Sequence, residues 1–263
     1  VLRLKKVLQT IFGDVFLKFH PQEKLDKKVL VTILVSVFSL VAIQYLNSIQ
    51  KTLQLLHSLG LNDLTSIAIE SLQKVNDYQL LDLNYWAMCS FFFYFIVPVL
   101  VIKFSWKEKI SSYGLSLKGL TKGMRFYLLF LLIMLPLVWI ASQTEQFQHS
   151  YPFYRLNYSN ASYENLVIWE CFYFLQFVGL EFFFRGFMVH ALKKRFGYYS
   201  IFIMMIPYCM IHFGKPLPET IGAIFAGIVL GSMSLKSNSI WLGVLLHFSV
   251  AISMDFFAVW NMN

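Results

Sequence analysis

Charge is scarce in this 263-residue chain: Asp, Glu, Lys and Arg make up 14%, against 57% hydrophobic and 18% aromatic residues. Ordinary soluble domains carry roughly 25% charged residues, so the one or two soluble domains that the length would allow are excluded by composition. Cysteine is nearly absent too. Cys89, Cys171 and Cys209 lie in separate apolar segments without CxxC spacing, which excludes a disulfide frame or a cysteine zinc site and leaves them as small buried hydrophobes. The chain also lacks low-complexity tracts, a repeat at fixed period, a G-x-S-x-G nucleophile elbow and an H-E-x-x-H zinc helix.

What fills the sequence instead is long apolar runs. Seven stand out, at 29–47, 84–104, 124–142, 164–192, 199–213, 217–234 and 239–260, against a spanning requirement of about 20 residues. The expected fold is therefore all-α, a polytopic transmembrane helical bundle of about seven membrane segments. The net charge of +8 is no sign of nucleic acid, because the basic residues gather in alternate loops, the pattern of the positive-inside rule. Arg3, Lys5, Lys6, Lys18, Lys24, Lys27 and Lys28 precede the first segment, whereas loop 48–83 sets Lys51 and Lys74 against Asp63, Glu70, Asp77 and Asp82. Lys103, Lys107, Lys109, Lys118, Lys122 and Arg125, then Lys193, Lys194 and Arg195, then Lys236, fall on the same side as the N-terminus. The reading is a multi-pass protein of a cell (inner) membrane with a cytoplasmic N-terminus.

Residues 1–19 mix Leu, Phe and Lys at helical spacing, which fits an interfacial amphipathic helix against anionic lipid and is too charged for a signal-peptide core. The division expected is an inner-face amphipathic segment over 1–28 and a single integral membrane domain over 29–263. Loop 48–83, with leucines and isoleucines at helical intervals, is expected to hold one or two amphipathic helices on the outer face.

Within the fourth apolar run, residues 179–186 read GLEFFFRG. An ionisable side chain at mid-membrane costs at least ~2.5–3.5 kcal/mol and marks a functional candidate whose partner must be named. Glu181 and Arg185 are i and i+4 on one helix face, in the order that favours pairing. Counting 1.5 Å per residue from the inner face puts Glu181 and His212 roughly 18 Å deep, and Arg185 and His247 roughly 12 Å deep. Four polar residues on three helices thus converge, which points to one enclosed pocket more than to an ion pair that only locks packing. A glutamate there could serve as general base, with histidines to orient a water or to donate to an oxyanion. Alternatively Glu181, His212 and His247 could ligate zinc with an open fourth position, or the same residue types could form a proton relay in a small transporter.

The segments GLEFFFRGF, PYCMIHFGKPLPE and AGIVLGSMSLKSNSIWLGVLLHF resemble the ordered signature blocks of the CPBP intramembrane protease family, which includes CAAX prenyl proteases and bacteriocin-processing or immunity-type relatives. The likeness covers 164–256, and SYGLSLKG at 112–119 resembles the basic loop that often precedes it. It implies a helical bundle with a cytosol-accessible pocket, hydrolysis of a peptide bond in a membrane-associated peptide or protein by a glutamate-activated water, and no cofactor. By that resemblance Glu181 and Arg185 match the second glutamate and the arginine of EExxxR, His212 the histidine of FxxxH, and His247 the final-block histidine. The first glutamate position is Leu180, Tyr208 replaces the phenylalanine of FxxxH, and Ala251 stands where an asparagine or aspartate is usual. Asp255, two turns beyond His247 on nearly the same face, and Lys215 and Glu219 at the Gly/Pro break are accessory candidates beside Tyr208. The replacement at Leu180 keeps a non-hydrolytic immunity or scaffold role, binding a membrane partner, open beside the protease.

Overall fold

The structure is a computed structural model in which residues 25–117, 120–156 and 161–261 are described. The expected N-terminal amphipathic segment therefore lies almost wholly outside the described residues. Among the described residues there are helices and connecting turns and no strand. A bilayer core offers the backbone no hydrogen-bond partners, so a chain crossing it must close its own N–H to C=O ladder, and helices do so.

Helix α1 (Lys27–Leu46) starts at Asp26, whose carboxylate accepts the amides of Lys28 and Val29 at 2.9 and 3.2 Å, satisfying two donors that a helix start leaves open. Two short helices follow, α2 (Ile49–Ser58) and α3 (Asn62–Leu72), as expected for this loop. They are joined through Gly60 at φ +78°, a conformation that glycine adopts without a Cβ penalty. Helix α4 (Tyr78–Ser105) carries Pro98, which has no N–H to give to its ladder, and the ladder widens to π geometry on either side of it, at Phe92–Ile96 and Val101–Ser105. Helix α5 (Leu120–Ser142) leaves Phe126, Leu129, Leu132 and Ile133 exposed, the face that lipid covers. The short α6 (Glu145–Ser150) leads into the loop before α7.

Helix α7 (Tyr163–Phe196) is the axis of the bundle. Its 34 residues reach about 51 Å at 1.5 Å per residue, and every residue from 176 to 192 is buried. It packs against α4 on one side and against α10 (Trp241–Trp260) on another, while α10 also packs along α5. Helix α8 (Tyr199–Met210) doubles back on α9 (Leu217–Ser237) through the turn 211–216. Small residues make the approach close: a Cβ on Gly231 would sit 2.9 Å from the Ile201 side chain.

Six of the seven expected segments are helices long and apolar enough to cross a membrane. The segment expected over 199–213 is apolar, but its helix has 12 residues and rises only about 18 Å. Pro207 and the Gly214–Lys215–Pro216 break stop it short, so its C-terminal end, with Tyr208 and His212, is held inside the bundle.

Candidate active site

The site is built on a distortion of α7. Between Phe182 and Met188 its hydrogen bonds take π spacing, a feature that recurs at functional sites. Phe182, Phe183 and Phe184 are all fully buried, packed on Tyr94 and Phe95 of α4 with ring centroids 4.8–5.7 Å apart. At Gly186 the loop before α5 comes so close that a Cβ would stand 2.6 Å from the Tyr113 carbonyl oxygen.

Glu181 precedes this turn and Arg185 lies within it, both 0% exposed, with Arg185 Nη1 3.0 Å from Glu181 Oε1. The guanidinium also lies over the Tyr208 ring, 3.8 Å from its centroid, and none of its three nitrogens makes a directed hydrogen bond among the described residues. Ion pairing and a ring face thus hold the cation. Glu181 Oε1 has a second partner, His247 Nδ1 at 2.6 Å, whereas Oε2 has none among the described residues and faces Gly243, where a Cβ would come within 2.3 Å of it. His247 Nε2 is 2.8 Å from the Tyr208 hydroxyl, and Phe177 stacks on the imidazole at 5.5 Å and 13°.

The partners fix the proton positions. A carboxylate only accepts, so the Nδ1 of His247 carries a proton, and Nε2 pairs with the Tyr208 hydroxyl. His212 Nδ1 lies 2.8 Å from the main-chain carbonyl of Tyr208, which again only accepts. The Nε2 lone pair of His212 is therefore directed away from the helix, and its ring meets the Tyr208 ring edge-on at 4.8 Å. Glu181, Arg185, His212 and His247 are thus brought together, with Tyr208 at their centre. Arg185 and His247, placed one turn from Glu181 by the depth count, both reach its Oε1. The His247 side chain is 19% exposed and His212 is half-buried, so the imidazoles, and not the carboxylate, are open to a ligand.

The zinc alternative finds no support in this arrangement. Both ring nitrogens of His247 are engaged, by Glu181 and Tyr208, and among the described residues no three His, Cys, Asp or Glu side chains are grouped to hold a metal ion.

The remaining accessory candidates belong to a second cluster. Lys215 donates to the Tyr151 hydroxyl at 2.8 Å and lies 3.7 Å from Glu219, and Tyr151 reaches both Glu219 oxygens at 3.1 Å. Burial, reinforced by Glu219, pushes the Tyr151 hydroxyl far above the usual phenol value, so it remains a donor at physiological pH. Asp255 is only 3% exposed and lies against Glu170, Trp169 and the Phe153 amide, none of which gives it a directed hydrogen bond. Asp255 and Glu219 therefore do not join Glu181, because two turns of α10 and the 211–216 turn carry them toward the Tyr151 loop. Leu180 packs in the apolar core with Tyr94 and Phe183.

Residues 162–253 match the family described as Rce1-like, type II CAAX prenyl endopeptidase. This is a protease family, and the matched stretch nearly coincides with the signature region 164–256 and contains the whole cluster around Glu181. No curated protein and no solved structure matches the chain.

Proposed function

We propose that the protein is an intramembrane endopeptidase that hydrolyses a peptide bond of a membrane-associated peptide or protein, with imidazole and not a water-facing carboxylate handling the proton. The observation that carries this is the contact of Glu181 Oε1 with His247 Nδ1 at 2.6 Å. It leaves a fully enclosed glutamate able to act on a substrate only through the histidine. Glu181 is then a positioning residue: it fixes the orientation of the His247 ring, while the ion pair with Arg185 holds the carboxylate in place.

In this reading a water bound at His212 Nε2 attacks the scissile carbonyl. His212 takes the water's proton as the C–O bond forms, and returns it to the departing amine as the C–N bond breaks. As the oxyanion develops, the Tyr208 hydroxyl gives up its bond to His247 Nε2 and donates to that oxygen instead. The match to a prenyl endopeptidase family favours hydrolysis over proton-coupled transport, and a multi-pass protein with a cytoplasmic N-terminus remains the topology we propose.

The test is cleavage of fluorogenic peptides, prenylated and unprenylated, by the protein in proteoliposomes. Wild type is expected to cut and His212→Ala to lose the activity. A second reading, a non-hydrolytic member that binds a membrane partner, is favoured by Leu180, which fills the position of the family's first glutamate with a core side chain. It prevails if no peptide is cut and partner binding survives His212→Ala and His247→Ala.

A further inference from the structure

Beneath the Glu181 cluster, toward the Phe196 end of α7, a second polar chain enters the buried core. Lys193 Nζ is 2.9 Å from His190 Nδ1, His190 Nε2 is 3.0 Å from Ser234 Oγ, and Ser234 Oγ is 3.0 Å from the main-chain carbonyl oxygen of Arg185. His190 and Ser234 are 4% and 2% exposed, whereas Lys193 stands exposed at the surface. The two ends fix the direction of the chain. An ammonium group only donates and a carbonyl only accepts, so Lys193 donates to His190 Nδ1, His190 donates from Nε2 to Ser234, and Ser234 donates to the Arg185 carbonyl.

That carbonyl lies in the π turn of α7, the segment from which the Arg185 side chain reaches Glu181. Hydrogen bonds in series polarise one another, and this series fastens α9 to α7 at the residue whose guanidinium faces the glutamate. We propose that Ser234 and His190 are positioning residues for the Glu181–His247 pair. By holding the Arg185 main chain they set where its guanidinium stands, and through it where the Glu181 carboxylate meets His247. The inference deepens the endopeptidase reading and assigns these two residues no contact with substrate.

A readout independent of cleavage tests it: the Nδ1–H proton resonance of His247 in the histidine-¹⁵N-labelled protein in detergent, assigned by its loss in His247→Gln. Ser234→Ala is expected to shift or broaden this resonance and to lower kcat roughly tenfold with KM nearly unchanged, the effect of about 1.4 kcal/mol in a positioned group. Ser234→Thr, which keeps the hydroxyl, is expected to restore both. Lys193→Met tests the same link from the exposed end without entering the core, and is expected to broaden the His190 Nε2–H resonance and to move that of His247 by less. An unmoved His247 resonance in both Ser234→Ala and Lys193→Met overturns the inference. A moved resonance in a protein that cuts no peptide leaves the inference standing and removes the endopeptidase reading instead.

Discussion

Substituting Gly243 by alanine is the sharpest perturbation of the site that leaves every polar group in place. The new methyl would lie 2.3 Å from Glu181 Oε2 and 2.9 Å from its Cδ. Carbon atoms normally stand about 3.5–4.0 Å from their neighbours, so the carboxylate or α10 must retreat by about 1 Å. Glu181 has little freedom to do so, since Oε1 is held at 3.0 Å by Arg185 and at 2.6 Å by His247. A retreat of that size takes the His247 contact beyond hydrogen-bond range. Losing a hydrogen bond to a charged group costs about 1.5–3 kcal/mol, and each 1.36 kcal/mol is tenfold in rate, so cleavage should slow by about 10–150-fold. Overpacking should also destabilise the fold by about 1–3 kcal/mol. The assay is kcat in proteoliposomes with thermal unfolding in detergent. The matched control is Gly222→Ala on α9, where a Cβ meets nothing within 4 Å and wild-type behaviour is expected. Wild-type cleavage and stability in Gly243→Ala would refute the placement of the carboxylate against α10.

Four further outcomes are expected. Glu181→Gln abolishes turnover and, by leaving the fully buried Arg185 without its counter-charge, lowers stability by about 3–5 kcal/mol; full activity in the purified variant would end any role for Glu181. His212→Ala and His247→Ala each reduce kcat by about 10²–10³-fold, and an unchanged pH–rate profile in both would argue against imidazole as the proton carrier. Tyr208→Phe keeps the ring under Arg185 but removes the hydroxyl from His247, so stability should change by only about 1 kcal/mol while kcat falls; an unaffected kcat would remove the hydroxyl from the proton path. Single cysteines introduced at Ser162 and Ser111, in a background without Cys89, Cys171 and Cys209, should label from outside and only from inside respectively, and the opposite pattern would reverse the topology.

The sequence carried the helical bundle plainly because apolar run length and loop charge are set by the bilayer, a solvent that every segment shares. It carried the meeting of Glu181, Arg185, His212 and His247 because burying such groups separately is costly. What it carried poorly were effects decided by irregular backbone and by neighbours far apart in the chain. The π turn of α7 at Phe182–Met188 and the end of α8 at Met210 are invisible to a count of 1.5 Å per residue along straight helices. Tyr208 reads as a mild replacement of phenylalanine, yet its hydroxyl reaches His247 and its ring lies under Arg185. Gly243 and Ser234 have no sequence signal of their own, since their importance lies in what approaches them. His190 had one that went unused: it is an ionisable residue in the same apolar run as Glu181, nine positions on. Asp255 fitted by periodicity but sits beside Glu170 in another layer.

The chemistry turns on the adjacency of positions 180 and 181. Successive residues of a helix point about 100° apart, so a carboxylate at one cannot take the place of a carboxylate at the other without rotating the helix. α7 is not free to rotate, because from 176 to 192 it is buried on all sides. Leu180 accordingly points into the apolar cluster with Tyr94 and Phe183, and Glu181 points to Arg185, His247 and Gly243. A glutamate enclosed there has no surface for a water and meets the rest of the cluster through His247, which touches the carboxylate at one ring nitrogen and the Tyr208 hydroxyl at the other. A leucine at position 180 thus does not by itself remove the means of moving a proton. The demand falls on His212, whose outer nitrogen has no protein partner among the described residues, and His212→Ala is the variant on which the endopeptidase and binding-only readings part most cleanly.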